Sequence, residues 1–401
     1  MLNIGIIKEE KSPPDSRVPL NPKQCKELID EGFDIIVQKS KSRCFTDEDY
    51  LAFNIPMSDD VSGQDILLGV KEVPINSLIE NKTYFFFSHT IKEQAYNQKL
   101  LQAIVDKNIR LIDYEVLTNP NGQRVIAFGK FAGMVGAHNA LWTYGQRTKS
   151  FELPRMNSLY DYEAAKQVYK ETKFPNCKIV LTGTGRVAGG AELVLLDMGF
   201  TKVRPIEYLI KKFDKPVFTQ LNSFYYAKRK DGKEFDNVQV FYDNPQDYES
   251  DFQHFASVTD IMINGIYWDN QAPAFFSLDE MKEDDFSIKV IGDVTCDIAP
   301  TSSIPSTIKA STIADPVFGF DPQTGKEIPA FTESGIDMMT IDNLPNELPR
   351  DASTAFGDMF KKHVLPQLSG QVEGDMIERA TVAQNRNLGT HFEYLRSFIE
   401  G

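Results

Sequence analysis

Short apolar runs alternate with amphipathic stretches in the first third of the chain. Residues 3–7, 33–37 and 110–113 are short and apolar, which predicts buried strands. Residues 21–32 and 93–107 have the apolar spacing of helices. Strands that alternate with helices in this way are typical of a parallel, doubly wound sheet.

Two more predicted strands end close to ionisable residues. The apolar run 65–70 precedes Lys71, and the run 84–87 precedes His89. Open α/β sheets bind their ligands outside the carboxyl ends of strands, so this position favours an acid/base role for both residues. Either residue taken alone is better explained as a surface residue that ends a strand, and it is the two together that favour catalysis.

A glycine-rich turn follows an apolar segment in the middle of the chain. Residues 177–182 predict a strand, and residues 188–198 predict a helix. The first glycine between them permits a tight turn, the second lets the backbone approach a pyrophosphate, and the third small residue allows close packing. We therefore predict that a dinucleotide binds at Gly183, Gly185, Arg186, Val187 and Ala188.

The residue that contacts the adenosine ribose is expected about 20 residues after the turn. Glu207 is the acidic residue best placed for this role, and a carboxylate there favours NAD(H). Arg204, Lys211 and Lys212 are close enough in sequence to bind a 2′-phosphate instead. The cofactor is therefore predicted to be NAD(H) or NADP(H), with the choice left open.

The rest of the chain predicts a second sheet and a C-terminal segment that belongs to the first domain. Residues 129–150 predict a long helix that leads into the second domain, and residues 260–268 and 288–294 predict later strands. Residues 224–243, which contain an Asp-Gly turn, predict an inserted hairpin or long loop of unknown role. Residues 351–401 predict a helical tail that packs on the first domain.

Composition narrows the class of protein. The 401 residues are 41% hydrophobic, which is enough for two domains, and the net charge of −14 makes nucleic acid or an anionic membrane surface an unfavourable partner. The four cysteines lack metal-ligand or disulfide-framework spacing, so no metal is predicted. The N-terminal residues lack the layout of a signal peptide, and no apolar run is long enough for a bilayer. These features predict a soluble cytoplasmic protein.

Several segments occur in an order that resembles one family of enzymes. They are Lys8-Glu9 with Arg17, residues 69–74, 85–92, 111–115, 124–129, the turn at 183–188, and residues 292–298, 314–316 and 342–345. The chain resembles, over nearly its whole length, the lysine-2-oxoglutarate reductases, also described as L-lysine-forming saccharopine dehydrogenases. That family belongs to the alanine dehydrogenase and transhydrogenase superfamily.

The resemblance implies a fold and a reaction. The fold is α/β with two Rossmann-like doubly wound domains, in which a dinucleotide-binding domain at 141–345 is inserted into a discontinuous substrate domain at 1–140 and 346–401. The reaction interconverts L-lysine plus 2-oxoglutarate and saccharopine, so the expected partners are these small molecules. No membrane or nucleic acid is expected, and a homo-oligomer is compatible with the resemblance.

The resemblance also implies roles for individual residues. Lys71 and His89 are expected to be the acid/base pair. Residues expected at the substrate site are Arg17, Glu72, Lys92, Glu115, Arg124 and Phe128. Asp293 and Leu344 are expected beside the cofactor.

Two alternatives remain open from the sequence. One is an alanine dehydrogenase, which would use pyruvate and ammonia. The other is a non-catalytic nucleotide-binding component like that of a transhydrogenase, which would not need Lys71 and His89. Ala188 in place of a third glycine and the extra segment 224–243 both differ from the alanine dehydrogenase pattern.

Overall fold

The computed structural model describes residues 2–235 and 237–400 and divides the chain into two compact units. Unit 1 comprises Met1–Phe128 and Pro349–Gly401, and unit 2 comprises Gly129–Leu348. The two ends of the chain therefore fold together, and unit 2 is inserted between them. The sequence predicts the end of the first segment at residue 140, and the structure places it at residue 128, a difference of 12 residues. The sequence predicts the end of the inserted domain at residue 345, and the structure places it at residue 348, a difference of 3 residues.

Both units combine strands and helices. The strands, numbered in chain order, are β1 (Asn3–Ile6), β2 (Asp34–Gln38), β3 (Met57–Ser58), β4 (Ile66–Leu68), β5 (Thr83–Phe86), β6 (Arg110–Asp113), β7 (Lys178–Thr182), β8 (Thr201–Lys202), β9 (Val217–Leu221), β10 (Ala227–Arg229), β11 (Tyr248–Ser250), β12 (Ile261–Asn264), β13 (Val290–Asp293), β14 (Val317–Asp321), β15 (Lys326–Ile328), β16 (Ile336–Met339), β17 (Thr381–Gln384) and β18 (Asn387–Leu388). The helices are α1 (Pro22–Asp30), α2 (Asp47–Ala52), α3 (Gln98–Asp106), α4 (Gly129–Thr148), α5 (Tyr162–Glu171), α6 (Arg186–Asp197), α7 (Pro205–Ile210), α8 (Ser223–Tyr226), α9 (Val238–Asp243), α10 (Gln253–Ala256), α11 (Pro349–Met359), α12 (Leu365–Leu368), α13 (Met376–Arg379) and α14 (Arg396–Glu400). Within the described ranges, no helix has the length and apolar character needed to cross a membrane.

The sheet of unit 1 has the strand order β18-β17-β6-β5-β4-β1-β2-β3. The strands from β3 to β6 run parallel to their neighbours, as the alternating pattern predicts. The central strand β4 is buried along its length because both faces of the sheet are covered. The carboxyl ends of β1, β4, β5 and β6 therefore meet at one edge, where the loops that follow them carry the candidate acid/base residues.

The C-terminal tail is only partly helical. Helix α11, the π-helical segment Phe360–Val364 and helix α12 fit the helical pattern and pack in the core of unit 1. The tail then forms β17, which pairs antiparallel with β6, and β18, which pairs antiparallel with β17. The helical prediction missed these strands because they are short and because the pairing of β17 with β6 is non-local.

The sheet of unit 2 has the strand order β15-β14-β16-β13-β12-β7-β9-β8. Strands β7, β8, β9, β12, β13 and β16 are parallel, and β14 and β15 extend the sheet antiparallel at one edge. The strand beside β7 is β9, while β8, which comes earlier in the sequence, is a two-residue strand at the outer edge. Two Rossmann-like α/β sheets therefore form the architecture of the chain, as expected.

Helix α4 belongs wholly to unit 2. One glycine in α4 and one in α6 allow the two helices to pack closely. A Cβ atom on Gly133 would lie 1.8 Å from the carbonyl oxygen of Val187, and one on Gly190 would lie 1.9 Å from that of Lys130. Neither position tolerates a side chain without moving the backbone. The domain boundary expected at residue 140 falls inside this helix, which is why the observed boundary comes earlier.

The segment predicted as a hairpin or long loop is larger than the sequence indicated. Strand β10 pairs antiparallel with β11, and helix α9 lies between them in sequence. We refer to residues 223–250, from α8 to β11, as the inserted hairpin. Its aromatic side chains Tyr226, Phe241 and Tyr248 are buried in the same core as β9 and β12. The insertion is therefore a folded part of unit 2.

Candidate functional site

Lys71 lies in the loop after β4, three residues beyond Leu68. The carboxylate of Glu9, which follows β1, accepts hydrogen bonds from the backbone N–H groups of Val70 at 2.6 Å and Lys71 at 2.9 Å. Burial raises the pKa of Glu9, although these two donors favour its ionised form. The side chain of Glu9, in the loop after β1, thus fixes the backbone of the loop that carries Lys71.

The amine of Lys71 is in an environment that disfavours its charge. Burial is the largest cause that lowers its pKa, followed by the positive charges of Arg17 and Lys11, while Asp15 and Glu72 oppose the shift. A lysine with a lowered pKa exchanges protons more readily near neutral pH. Its surroundings therefore suit a general acid or base.

His89 follows β5 by three residues and is tied to Glu72. Its backbone has a left-handed φ of 54°, and its Nδ1 atom is hydrogen-bonded to Oε1 of Glu72 at 2.5 Å. Lys11 donates from Nζ to Oε2 of the same carboxylate at 2.7 Å. Burial alone would raise the pKa of Glu72, but the hydrogen bonds from His89 and Lys11 hold it at about 2. Glu72 is therefore an anion that orients the imidazole.

Asp113, the last residue of β6, links the loops that carry His89 and Glu115. It is fully buried and accepts hydrogen bonds from the backbone N–H of Ser88 at 3.0 Å, the Ser88 hydroxyl at 2.5 Å and the backbone N–H of Glu115 at 2.7 Å. Burial raises its pKa. These hydrogen bonds hold the loops that carry His89 and Glu115, so Asp113 is a positioning residue of the site.

Glu115 binds two cations through one oxygen. Its Oε1 atom accepts from Arg124 at 2.8 Å and pairs with Lys92 at 3.2 Å. Burial acts to raise the pKa of Glu115, and the charges of Lys92 and Arg124 lower it overall. Its Oε2 atom is buried and has no hydrogen-bond partner among the described residues. Glu115 thus holds two cationic side chains together through Oε1 and keeps Oε2 without a hydrogen-bond partner among the described residues.

Arg17 is buried, with 2% of its surface exposed, and its guanidinium binds Asp15. Nε donates to Oδ1 at 3.0 Å and an Nη atom donates to Oδ2 at 2.6 Å, so a two-point contact is made within the protein. The guanidinium also lies 4.3 Å from the ring centre of Phe128, which stacks on Phe356. The expected substrate-site residues Arg17 and Phe128 therefore form a packed support, and Arg17 influences Lys71 through its charge.

Sequence reasoning omitted four polar residues of this region, namely Glu9, Lys11, Asp15 and Asp113. Asp113 ends a predicted strand, so the criterion applied to Lys71 and His89 would also have selected it. The other three lie in the irregular segment between β1 and α1. Glu9 is part of the family resemblance, and the only sequence signal for Lys11 and Asp15 is that their segment follows a strand at the same sheet edge.

The glycine-rich turn of unit 2 has the backbone geometry that a phosphate site requires. Gly183 follows β7 with a φ of 96°, and a Cβ atom there would lie 2.7 Å from the carbonyl oxygen of Gly265. Gly185 is the N-cap of α6, and Arg186 begins the helix with an exposed side chain. The first backbone N–H groups of a helix attract an anion. The turn therefore fits a pyrophosphate.

Val187 and Ala188 line the inner side of the same turn. Ala188 is buried, and a Cβ atom on Gly265 would lie 3.0 Å from the Val187 side chain and 3.4 Å from the backbone nitrogen of Ala188. The small side chain at 188 thus allows the first turn of α6 to approach the loop after β12. A glycine is not required at this position.

Glu207 lies elsewhere than expected. It is in α7, after the outer strand β8, and its carboxylate binds Arg204 at 3.0 Å and Lys211 at 2.7 Å. Those two side chains hold its pKa at about 2. The strand beside β7 is β9, which is followed by Asn222. The end of the neighbouring strand therefore carries an amide, and the expectation for Glu207 failed because the strand order is not that of the sequence.

Asp293 and Leu344, expected beside the cofactor, are both buried in unit 2. Asp293 ends strand β13, as expected, and accepts hydrogen bonds from Asn264 at 2.9 Å, Thr307 at 2.7 Å and the backbone N–H of Cys296 at 3.2 Å. The side chain of Leu344 is 2% exposed. Contact of either residue with the cofactor stays a prediction.

The sequence is similar to curated proteins over almost its full length. Residues 5–135 match the family model described as alanine dehydrogenase/PNT, N-terminal domain. The chain is 28% identical over 445 residues to the mitochondrial α-aminoadipic semialdehyde synthase of Mus musculus, covering 99% of this chain and 48% of that protein. It is 27% identical over 379 residues to the saccharopine dehydrogenase (NAD⁺, L-lysine-forming) of Yarrowia lipolytica, covering 90% of each. The chain thus spans about half the length of the first of these relatives.

Solved structures share the architecture. An L-alanine dehydrogenase superposes with a TM-score of 0.64 at 15% identity, covering 100% of this chain and 99% of that one. A transhydrogenase from Sinorhizobium meliloti superposes with a TM-score of 0.58 at 12% identity, covering 96% and 99%. These likenesses concern the fold alone. The sequence matches support an oxidoreductase of the amino-acid dehydrogenase type, similar to the L-lysine-forming saccharopine dehydrogenases and the α-aminoadipic semialdehyde synthases.

Proposed function

We propose that the chain interconverts L-lysine plus 2-oxoglutarate and saccharopine, with a nicotinamide dinucleotide as the hydride carrier. The observation that carries this proposal is the arrangement around Glu72, which binds His89 directly and lies next to Lys71. Two titratable groups held at one strand edge suit a reaction with several proton transfers. The name of one curated relative, saccharopine dehydrogenase (NAD⁺, L-lysine-forming), supports saccharopine and L-lysine as substrates.

The proposed reaction forms one C–N bond and releases one water molecule. The neutral ε-amine of lysine attacks the keto carbon of 2-oxoglutarate, and the carbonyl oxygen takes a proton to give a carbinolamine. The nitrogen then loses a proton, and the oxygen takes another and leaves as water. Reduction of the resulting imine gives saccharopine. Each step needs a group that accepts or donates a proton at neutral pH.

Lys71 and His89 divide these proton transfers. The lowered pKa of Lys71 increases its neutral fraction, so it can accept the proton that the substrate nitrogen loses. Because ionised Glu72 accepts the Nδ1 proton of His89, the Nε2 atom is left to exchange a proton with the carbinolamine oxygen. Glu72 thus selects the tautomer that the reaction needs.

The charges of the proposed substrates are complementary to those of Glu115, Lys92 and Arg124. Lys92 and Arg124 meet at the Glu115 carboxylate, and we propose that these two cationic side chains attract a substrate carboxylate. The unused Oε2 of Glu115 is suited to the ammonium of a lysine substrate. A protein with a net charge of −14 needs such a local group of cations to bind a dianionic keto acid.

The dinucleotide supplies the hydride when bound. We propose that Gly183, Gly185 and Arg186 hold its pyrophosphate through backbone N–H groups and the guanidinium. We further propose that Asn222, after the strand beside β7, faces the adenosine ribose. A neutral side chain there does not repel a 2′-phosphate, so we expect NADP(H) as the cofactor.

A substrate comparison tests the proposal. The chain should oxidise NADPH, and NADH more slowly, only when L-lysine and 2-oxoglutarate are both present. Equal or faster oxidation with pyruvate and ammonia would assign it to alanine dehydrogenase. Nucleotide binding without oxidation in either mixture would favour the non-catalytic alternative.

Variants of the acid/base pair test the assigned residues. Lys71→Met and His89→Gln should each lower kcat by about 10²–10⁴-fold, the usual contribution of general acid–base catalysis, with little effect on nucleotide binding. Lys170→Met and His254→Gln change exposed residues of unit 2 and are matched controls. Full activity with an unaltered pH profile in both site variants would refute the assignment.

A further inference from the structure

The inserted hairpin forms one wall of an aromatic cavity in unit 2. The cavity is small, with a volume of about 80 Å³, and it opens to solvent. Its floor consists of the buried rings of Tyr226, Phe241 and Phe275. The ring centres of Tyr226 and Phe275 are 4.9 Å apart, and those of Tyr226 and Phe241 are 6.3 Å apart, both in edge-to-face contact. The floor is therefore a packed surface made by side chains from two segments.

The rim of the cavity carries three more aromatic residues. Tyr242 is 53% exposed and Tyr267 is 93% exposed, so neither ring is used fully in packing. Trp268 lies beside them, and its indole Nε1 donates to the carbonyl oxygen of Thr301 at 2.6 Å. Exposed aromatic rings around an apolar cavity are typical of a ligand site, and a flat ring is the ligand that such walls fit.

The cavity adjoins the glycine-rich turn. Ile266 lines the cavity, and its Cα atom lies 3.3 Å from where a Cβ atom of Gly183 would be. Thr182 pairs with Leu221 of β9 on one side and with Asn264 of β12 on the other. The loops after these two strands therefore start at the edge where the turn lies. Tyr226 belongs to the first loop and Ile266 to the second.

We propose that this cavity binds the adenine ring of the dinucleotide, so that the inserted hairpin is part of the cofactor site. The inference rests on the proposed use of a dinucleotide at Gly183. The residue proposed to face the adenosine ribose is Asn222, and Tyr226 is four residues further along the chain. The base attached to that ribose is adenine, so the adenine ring is the part of the cofactor within reach of the cavity.

Binding of cofactor fragments tests the proposal. Tyr242→Ala and Tyr267→Ala remove exposed rings from the rim and should leave the fold intact. Loss of base–aromatic stacking should weaken ADP-ribose and 5′-AMP binding by about five- to a hundredfold, as measured by calorimetry. Binding of nicotinamide mononucleotide should not change. Tyr225→Ala, in α8 but outside the cavity lining, is the matched control and should bind all three ligands like the wild type.

A fluorescence measurement provides a second test that needs no cavity variant. The chain has two tryptophans, so Trp142→Phe leaves Trp268 as the reporter. ADP-ribose should change its emission, whereas nicotinamide mononucleotide should not. Unchanged ADP-ribose affinity in both rim variants, or equal losses for ADP-ribose and nicotinamide mononucleotide, would overturn the proposal.

The outcomes for the cavity and for the reaction can be separated. Fragment binding is measured without lysine or keto acid, so a failure to turn over these substrates does not affect the result. Turnover of lysine and 2-oxoglutarate with unchanged ADP-ribose affinity in the rim variants would keep the proposed reaction and overturn the adenine site. Weakened ADP-ribose binding in the rim variants without turnover of lysine and 2-oxoglutarate would keep the adenine site and overturn the proposed reaction.

Discussion

Nδ1 of His89 and Oε1 of Glu72 lie 2.5 Å apart, which joins the loops that follow two neighbouring parallel strands. Lys11 binds the other oxygen of the same carboxylate. Since these contacts hold the pKa of Glu72 at about 2, the carboxylate stays ionised throughout the pH range of an enzyme assay. Glu72 is therefore expected to act through His89, and not as a titrating group of its own.

The first prediction concerns that contact. Glu72→Gln should lower kcat by about ten- to a hundredfold, because a charge-assisted hydrogen bond of roughly 1.5–3 kcal/mol is lost and the amide no longer fixes the imidazole tautomer. Nucleotide affinity should stay unchanged. Steady-state kinetics from pH 5 to 9 should show a changed pH profile, whereas Glu163→Gln, at an exposed helix position, should behave like the wild type. A wild-type profile in Glu72→Gln would mean that the contact is structural.

The second prediction concerns the unused oxygen of Glu115. Glu115→Gln should raise KM for L-lysine by about ten- to a hundredfold, because a neutral amide no longer pairs with the substrate ammonium. KM for 2-oxoglutarate should fall or stay the same, since Lys92 and Arg124 lose their internal carboxylate partner. Initial rates with each substrate varied in turn separate the two effects. An equal rise in both KM values would contradict a specific contact with lysine.

Much of the fold could be predicted because its signals are local. The central strands β1, β4, β5 and β7 are short apolar runs, and the glycine-rich turn stands between a strand and a helix as its pattern requires. The strands of the tail, β17 and β18, could not be predicted in this way. Strand β17 is stabilised by pairing with β6, which lies far away in the sequence, and β18 pairs with β17.

The sequence could predict which residues of the site follow strands, but it could not predict the hydrogen bonds between them. Lys71 and His89 were selected because they follow strands, yet the residues that hold them, Glu9 and Glu72, act through backbone and side-chain contacts that only the fold creates. Glu207 shows the opposite error. The 20-residue spacing assumes that the next strand in sequence is the next in space, and in unit 2 it is not.

The third prediction follows from the strand order of unit 2. Asn222→Asp should weaken NADPH binding by about tenfold or more and improve NADH relative to NADPH, because a carboxylate accepts a ribose hydroxyl and repels a 2′-phosphate. Aspartate can also keep the contact that Asn222 Oδ1 makes with the backbone N–H of Phe224 at 3.1 Å. Dissociation constants for both nucleotides measure the change. Glu207→Gln is the control, and a larger effect there would return the assignment to Glu207.

The last prediction concerns His138, which is buried in α4 of unit 2. Its Nδ1 atom lies 2.7 Å from the Tyr169 hydroxyl and its Nε2 atom 2.7 Å from the carbonyl oxygen of Pro154. A neutral imidazole satisfies both contacts, since Nε2–H donates to the carbonyl and Nδ1 accepts from the hydroxyl. Burial lowers the pKa of His138 to about 4, against about 6.5 in an unfolded chain.

Between these two pKa values the unfolded chain binds the proton and the folded chain does not. The free energy of unfolding should therefore be highest above pH 6.5 and fall as the pH decreases towards 4, by an amount on the order of 3 kcal/mol from this residue. His138→Gln should be less stable at pH 7.5 but should lose less stability on acidification, because the amide does not titrate. Urea unfolding midpoints from pH 4.5 to 7.5 measure the difference, with the exposed His391→Gln as control. Parallel pH dependences for His138→Gln and the wild type would show that His138 is protonated without cost to the folded state.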